Sequence, residues 1–111
     1  MSRYYGMHVE IKGADSGRLQ SVKKAASSEW PFADWEYGDP ILWSYAEGNL
    51  AGGETEHEFT DRLAGAIWKA NRAYCEVVLD ATYLEELPHE THVRTEENYS
   101  AWLTKNRERR S

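Results

Sequence analysis

Apolar residues change their spacing along this chain, and these changes divide it into predicted strands and helices. From Tyr5 to Ile11 every second residue is apolar, which is typical of a half-buried strand. From Leu19 to Trp30 the apolar residues recur every three or four positions, which predicts a helix that ends before Pro31. A strand followed by a helix therefore opens the chain.

The middle of the chain predicts a hairpin, a second helix and a fourth strand. Residues 34–46 alternate on both sides of a Gly-Asp-Pro turn, so they predict two paired strands. Thr55 followed three residues later by Glu58 is a capping-box pattern, and it predicts a helix that runs to about Tyr74. Residues 75–82 alternate again and predict the fourth strand.

The predicted order of elements is β-α-β-β-α-β. That order resembles the ferredoxin-like superfold, in which a four-stranded antiparallel sheet carries two helices on one face. The resemblance is architectural and covers residues 4–83. We therefore predict an α+β fold with a single domain over residues 1–111, in which residues 84–104 form a C-terminal appendix with a short helix. Residues 105–111 are expected to form a basic, frayed tail.

Length and composition agree with one globular domain. The 111 residues are 41% hydrophobic and 29% charged, which is close to the average for folded domains. No apolar run approaches the roughly 20 residues that cross a bilayer, and the first residues lack a signal-peptide pattern. Cys75 is the single cysteine, so no internal disulfide can form. These features predict a cytoplasmic protein that does not bind membranes.

The distribution of charge is the most informative functional feature of the sequence. The formal net charge is −6, yet no lysine or arginine occurs between Lys24 and Arg62. Acidic and aromatic residues are interleaved throughout that interval. Lysine and arginine normally meet nucleic-acid phosphates, which a negative surface repels. Direct nucleic-acid binding is therefore disfavoured.

The acidic, aromatic interval predicts a non-enzymatic interaction module that binds a basic protein partner. Aromatic rings anchor such interfaces, and carboxylates steer a cationic partner toward them. A solvated acidic face that only keeps the domain soluble is the simpler explanation. By size and charge, the chain is analogous to small phage or mobile-element inhibitors that occupy nucleic-acid-binding surfaces. The predicted partner-binding residues are Asp34, Trp35, Glu36, Tyr37, Asp39, Trp43, Tyr45 and Glu47.

The open face of the predicted sheet offers an alternative site of a different class. If the helices cover one face, alternate side chains of the first and fourth strands point to the other face. A pocket there would suit a small molecule or the substrate of a small enzyme. The residues predicted to line it are Tyr4, His8, Glu10, Glu76 and Asp80.

Trp43 and Tyr45 join that open face if the smaller residues of their strand face the helices. Aromatic rings on a sheet face resemble the base-stacking surfaces of RNA-recognition domains, but acidic residues flank them where those domains carry basic ones. The simplest expectation is that the appendix covers the rings with Tyr99, Trp102 and Leu103. A homodimer that buries this face is a third alternative.

The sequence contains no recognised catalytic, cofactor or metal motif. His89 and His92 are three residues apart, but Pro88 precedes them and no further ligand stands at finger-like spacing, so a solvated loop is the simpler interpretation. His57, in the first turn of the second helix, is a weak candidate for a general base. Cys75 lies in an apolar run and is expected to be a buried thiol. We therefore predict no catalytic residue, no cofactor and no metal.

Overall fold

A computed structural model describes residues 3–86 and 88–110 and gives five strands and three α-helices. The strands are β1 (Arg3–Lys12), β2 (Ala33–Gly38), β3 (Ile41–Leu50), β4 (Glu76–Tyr83) and β5 (His89–Arg94). The helices are α1 (Leu19–Glu29), α2 (Glu56–Asn71) and α3 (Glu96–Arg110), and a short 3₁₀ turn (Ser16–Arg18) precedes α1. None of the helices in this described part of the chain is long and apolar enough to span a membrane.

The strands form a single antiparallel sheet in the order β2-β3-β1-β4-β5. The ferredoxin-like prediction is wrong, because the described chain has a five-stranded sheet and three helices instead of four strands and two helices. The additional elements, β5 and α3, both come from the segment expected to be an appendix. Only His92 is buried in β5, so this edge strand has no apolar alternation that the sequence could reveal.

The hydrophobic core lies between one face of the sheet and the helices. The strand β1 supplies it with every second residue, as the alternation predicts. Its neighbours in register are core residues of β3 and β4, since Ile11 pairs with Leu42 and with Val77. The fully buried side chains include Met7, Val9, Ile11, Val22, Leu42, Phe59, Leu63, Ile67, Val77 and Leu79.

The start of α2 is fixed by a capping box. The Thr55 hydroxyl accepts a hydrogen bond from the Glu58 backbone N–H at 3.0 Å, and the Glu58 carboxylate accepts one from the Thr55 N–H at 2.9 Å. These reciprocal bonds satisfy two donors that would otherwise lack a partner. The capping-box prediction is confirmed, and it fixes the positions of Glu56 and His57 in the first turn.

The helix α3 packs against α2, on the helix side of the sheet. The rings of Tyr99 and Trp102 lie 5.3 and 5.7 Å from the Trp68 ring, measured between centroids. Gly65 permits this approach, since a Cβ there would lie 2.9 Å from Trp102 Nε1. Tyr99 and Trp102 were expected to cover Trp43 and Tyr45 on the sheet. That expectation is wrong, because both rings pack on α2 instead. The sheet aromatics of β3 are left uncovered by these two rings.

Truncation of Trp102 tests the contact between α2 and α3. Trp102→Ala removes a half-buried ring that packs on Trp68, so we expect the free energy of unfolding to fall by about 1–3 kcal/mol. Urea denaturation measures this loss, and amide hydrogen exchange in α3 should accelerate. Ser100→Ala changes an exposed residue of the same helix and should alter stability by less than about 0.5 kcal/mol. Unchanged exchange in α3 of Trp102→Ala would contradict the packing.

Candidate functional site

One face of the sheet has side chains that are exposed or half-buried, and we call it the open face. Residues that pair across antiparallel strands point to the same side. His8 pairs with Tyr45 and Asp80, and Glu10 pairs with Trp43, so these residues share the open face. By the same registers, further open-face residues include Tyr4, Lys12, Glu36, Ile41, Glu47, Glu76, Val78, Thr82, His89, Thr91 and Val93.

Three of the residues predicted to bind a partner come to the open face from β3. Trp43 and Tyr45 lie beside Glu10 and His8 of β1, and Glu47 lies beyond them on the same strand. The exposed fraction of Tyr45 is 50%, so its ring is available to a ligand. The smaller side chains of β3 face the helices, which is one of the two arrangements that the sequence allowed.

A bulge in β2 brings two acidic side chains beside these rings. The register with β3 shifts between Ala33 and Glu36, and Asp34 adopts a left-handed φ of 52° within the shift. Glu36 then pairs with Trp43. A shallow depression of about 330 Å³ results, and its lining includes His8, Asp34, Glu36, Trp43 and Tyr45.

The remaining three predicted residues do not join this group. Trp35 points toward the helices, and its Nε1–H donates to the Ser27 hydroxyl of α1 at 3.3 Å. Tyr37 pairs with the core residue Leu42, and its hydroxyl donates to Asp39 Oδ1 at 2.9 Å beside the hairpin turn. Sequence reasoning treated the hairpin as one surface, whereas the pleat sends alternate residues to opposite sides.

Three carboxylates of the cation-free interval are paired with an arginine. Arg62 forms ion pairs with Glu29, at 2.7 Å, and with Glu54, while Arg94 lies 2.7 Å from Asp61. Among residues 3–86 and 88–106, no lysine or arginine nitrogen lies within 4.0 Å of the four carboxylates of the hairpin, which belong to Asp34, Glu36, Asp39 and Glu47. The same is true of Glu56 and Glu58 at the start of α2, where Glu56 contacts His92 and Glu58 caps the helix.

Two tyrosines hold the Glu47 carboxylate in place. The Tyr4 hydroxyl donates to Oε1 at 3.1 Å, and the Tyr45 hydroxyl donates to Oε2 at 3.0 Å. The hydrogen bond to Glu47 raises the pKa of Tyr4. The pKa of Tyr45 is raised mainly by partial burial and also by its own hydrogen bond to Glu47. Gly6 leaves room for the Tyr45 hydroxyl, because a Cβ there would collide with it. The sequence did not reveal this role of Gly6, because it depends on the position of Tyr45 on the neighbouring strand β3.

The residues of the predicted sheet-face pocket share the open face but do not converge. His8 Nδ1 lies 3.9 Å from Asp80 Oδ2, and Asp80 Oδ1 lies 3.4 Å from His89 Nε2. Glu76 instead lies 3.7 Å from Lys12 Nζ. Within the described residues, His8 alone of this set lines the depression. The predicted set is Tyr4, His8, Glu10, Glu76 and Asp80.

A separate cluster lies on the helix side, where β5 meets the start of α2. His92 is buried, and its Nε2 lies 2.9 Å from Glu56 Oε1 and 3.5 Å from Glu90 Oε1. The same Glu90 oxygen lies 3.8 Å from His57 Nε2. The solvated-loop interpretation of this segment is wrong, because the segment is a strand. His89 points to the opposite face of that strand, so it cannot share an ion with His92.

Cys75 has no feature of a reactive thiol. It is buried, and burial raises its pKa to about 12. The thiolate needed for nucleophilic attack is therefore disfavoured. The expectation of a buried cysteine is confirmed.

Comparison of this chain with protein-family models, with curated proteins and with solved structures found no match. The chemistry of the open face therefore has to indicate what it binds. That chemistry combines exposed aromatic rings, carboxylates without cationic partners and a shallow depression between them.

The pH dependence of stability tests the geometry around Tyr5. Its hydroxyl donates to Glu56 Oε2 at 2.7 Å, and burial together with this bond raises the pKa of Tyr5 from 10.0 to about 12. The folded state therefore favours the protonated hydroxyl. This contribution is complete below pH 10 and is lost as the pH rises toward 12.

Between pH 10 and 12 we expect the free energy of unfolding to fall in both the wild type and Tyr5→Phe. The decrease should be larger in the wild type, by up to roughly 2 kcal/mol. Urea denaturation at several pH values measures both chains. Tyr37→Phe, which removes an exposed hydroxyl, should keep most of the wild-type decrease. Equal decreases in the wild type and Tyr5→Phe would contradict the assignment.

Proposed function

We propose that the chain is a non-enzymatic binding module whose open face binds a basic surface of another protein. The observation that carries this proposal is the combination of carboxylates without cationic partners and exposed rings at one place. Asp34 and Glu36 lie beside Trp43 and Tyr45, and no lysine or arginine among residues 3–86 and 88–106 forms an ion pair with them. A cationic partner would supply the missing charge.

The depression on this face suits the side chain of an arginine or a lysine. A guanidinium group stacks on aromatic rings, and it donates charge-assisted hydrogen bonds to carboxylates. Trp43 and Tyr45 offer the rings, while Asp34 and Glu36 offer the acceptors. Partly exposed rings of this kind are the residues that anchor protein interfaces.

The partner class that best fits this face is a protein that binds nucleic acid. Such proteins present lysine and arginine along the surface that contacts the phosphates. The carboxylates of Asp34, Glu36 and Glu47 would take the place of phosphates on that surface. In this form of the proposal, the chain inhibits its partner by occupying the nucleic-acid-binding surface.

A small cationic molecule is the second candidate, and the depression beside His8 is the observation that favours it. A small ligand would be confined to that depression. A protein partner would also contact Glu47 and Tyr4, which lie outside its lining on the same face. The extent of the contacted surface therefore separates the two candidates.

Titration with a short arginine-rich peptide, followed by amide chemical shifts, tests the proposed binding mode. We expect the largest shifts at Asp34, Glu36, Trp43 and Tyr45, and weaker binding at higher salt because ions screen the attraction. Asp34→Asn/Glu36→Gln should raise the dissociation constant by about tenfold. Capture of partners from lysate at low and high salt extends the test to whole proteins.

The matched control is Glu96→Gln/Glu97→Gln, which removes the same charge from exposed acidic residues at the start of α3. It should weaken peptide binding by less than about threefold. Equal weakening by both double variants would mean that net charge alone attracts the peptide. A homodimer that buries Trp43 and Tyr45, detected by sedimentation and by protection from exchange, would also contradict the proposal.

A further inference from the structure

We propose that His57, Glu90 and His92, together with Glu56, form a binding site for Zn²⁺ between β5 and the start of α2. This site lies on the helix side of the sheet and is independent of the proposed binding function of the open face. Its four side chains come from two elements that are distant in sequence. One ligand atom from each of His57, Glu90 and His92 lies within 4.8 Å of the other two.

The distances from Glu90 to the two histidines are close to those of a tetrahedral site. Zinc bonds to nitrogen and oxygen are about 2.0–2.2 Å long, so the ligand atoms of a tetrahedron lie about 3.3–3.6 Å apart. The Glu90 oxygen lies 3.5 Å from His92 Nε2 and 3.8 Å from His57 Nε2. Glu56 Oε1 lies 2.9 Å from the same His92 nitrogen. The two Glu90 distances are therefore within a few tenths of an ångström of the tetrahedral values, whereas Glu56 Oε1 lies closer to His92 than they allow and would move when the ion binds.

The backbone places these side chains without strain on either element. Glu90 and His92 are two residues apart on a strand, so both point toward α2. Glu56 and His57 occupy the first turn of α2, whose start is fixed by the capping box of Thr55. The rings of His57 and His92 meet nearly edge to face, with centroids 4.6 Å apart and an angle of 82° between planes.

Surrounding hydrogen bonds hold the ligands in position. The Tyr5 hydroxyl donates to Glu56 Oε2 at 2.7 Å and leaves the other oxygen of that carboxylate directed at His92. Arg94 joins β5 to α2, because it donates to Asp61 at 2.7 Å and to the His57 carbonyl at 3.3 Å. Such outer contacts orient metal ligands and raise metal affinity.

The donor set favours a metal that binds nitrogen, such as Zn²⁺. Two imidazoles with two carboxylates suit Zn²⁺, whereas Mg²⁺ and Ca²⁺ prefer ligand sets made of oxygen alone. Because a carboxylate only accepts, His92 Nε2 carries the proton in its bond to Glu56. An ion would replace that proton and would be shared with Glu90 and His57. The bound ion would then join the edge strand β5 to α2.

Isothermal titration with ZnCl₂ and the optical spectrum of the Co²⁺ form test this site on the full chain. We expect one ion per chain and the absorption bands of tetrahedral Co²⁺. His57→Ala, at an exposed position that should not disturb folding, should weaken Zn²⁺ binding by at least about tenfold, because loss of a direct ligand costs no less than loss of an outer partner. Glu90→Gln should weaken it by a similar factor.

His89→Ala and His8→Ala are the matched controls, because both histidines lie on the open face near Asp80. Each should leave the Zn²⁺ dissociation constant within about twofold of the wild-type value. Asp34→Asn/Glu36→Gln should also leave it unchanged, which separates this site from the proposed partner surface. Absence of saturable binding would overturn the proposal. Equal weakening by His57→Ala and His89→Ala would overturn it as well.

Discussion

The pairing of β1 with both β3 and β4 is the constraint on which the rest of the structure depends. This central strand sends Met7 and Val9 into the core and sends His8 and Glu10 to the open face. A shift of one residue in either register would exchange the two sets and bury charged groups. The core therefore fixes the open face as well, because both are formed by alternate residues of the same strands.

Local patterns in the sequence were sufficient to predict the strands and helices that bury an apolar face. The alternation in β1 and the capping box of α2 identified both elements, because each pattern is a direct consequence of backbone geometry. The strand β5 and the packing of α3 could not be predicted in the same way. β5 has one buried residue, and α3 depends on Trp68 and Gly65, which are distant in sequence. The ferredoxin-like prediction was wrong for these reasons.

The two candidate sites also depend on contacts between residues that are distant in sequence. Sequence alternation left open which side of β3 faces outward, and Trp35 was grouped with Glu36 although the pleat sends these neighbours to opposite sides of the sheet. The cluster around His92 required a tertiary contact, since His57 belongs to a different element. On a helix, the three-residue spacing of His89 and His92 would place both rings on one face, where they could share an ion. On a strand, residues three apart point to opposite faces, so the same spacing separates the two rings.

The bulge in β2 has a consequence for the behaviour of many copies in solution. β2 is an edge strand, and five of its six residues are exposed. An edge of this kind, rich in aromatic residues, readily recruits a second strand and grows into fibrils. The left-handed turn at Asp34 interrupts the row of backbone donors, and the nearby carboxylates repel one another when two such edges approach. Both features oppose the pairing of two such edges, while Tyr37 and Tyr45 of the hairpin stay exposed.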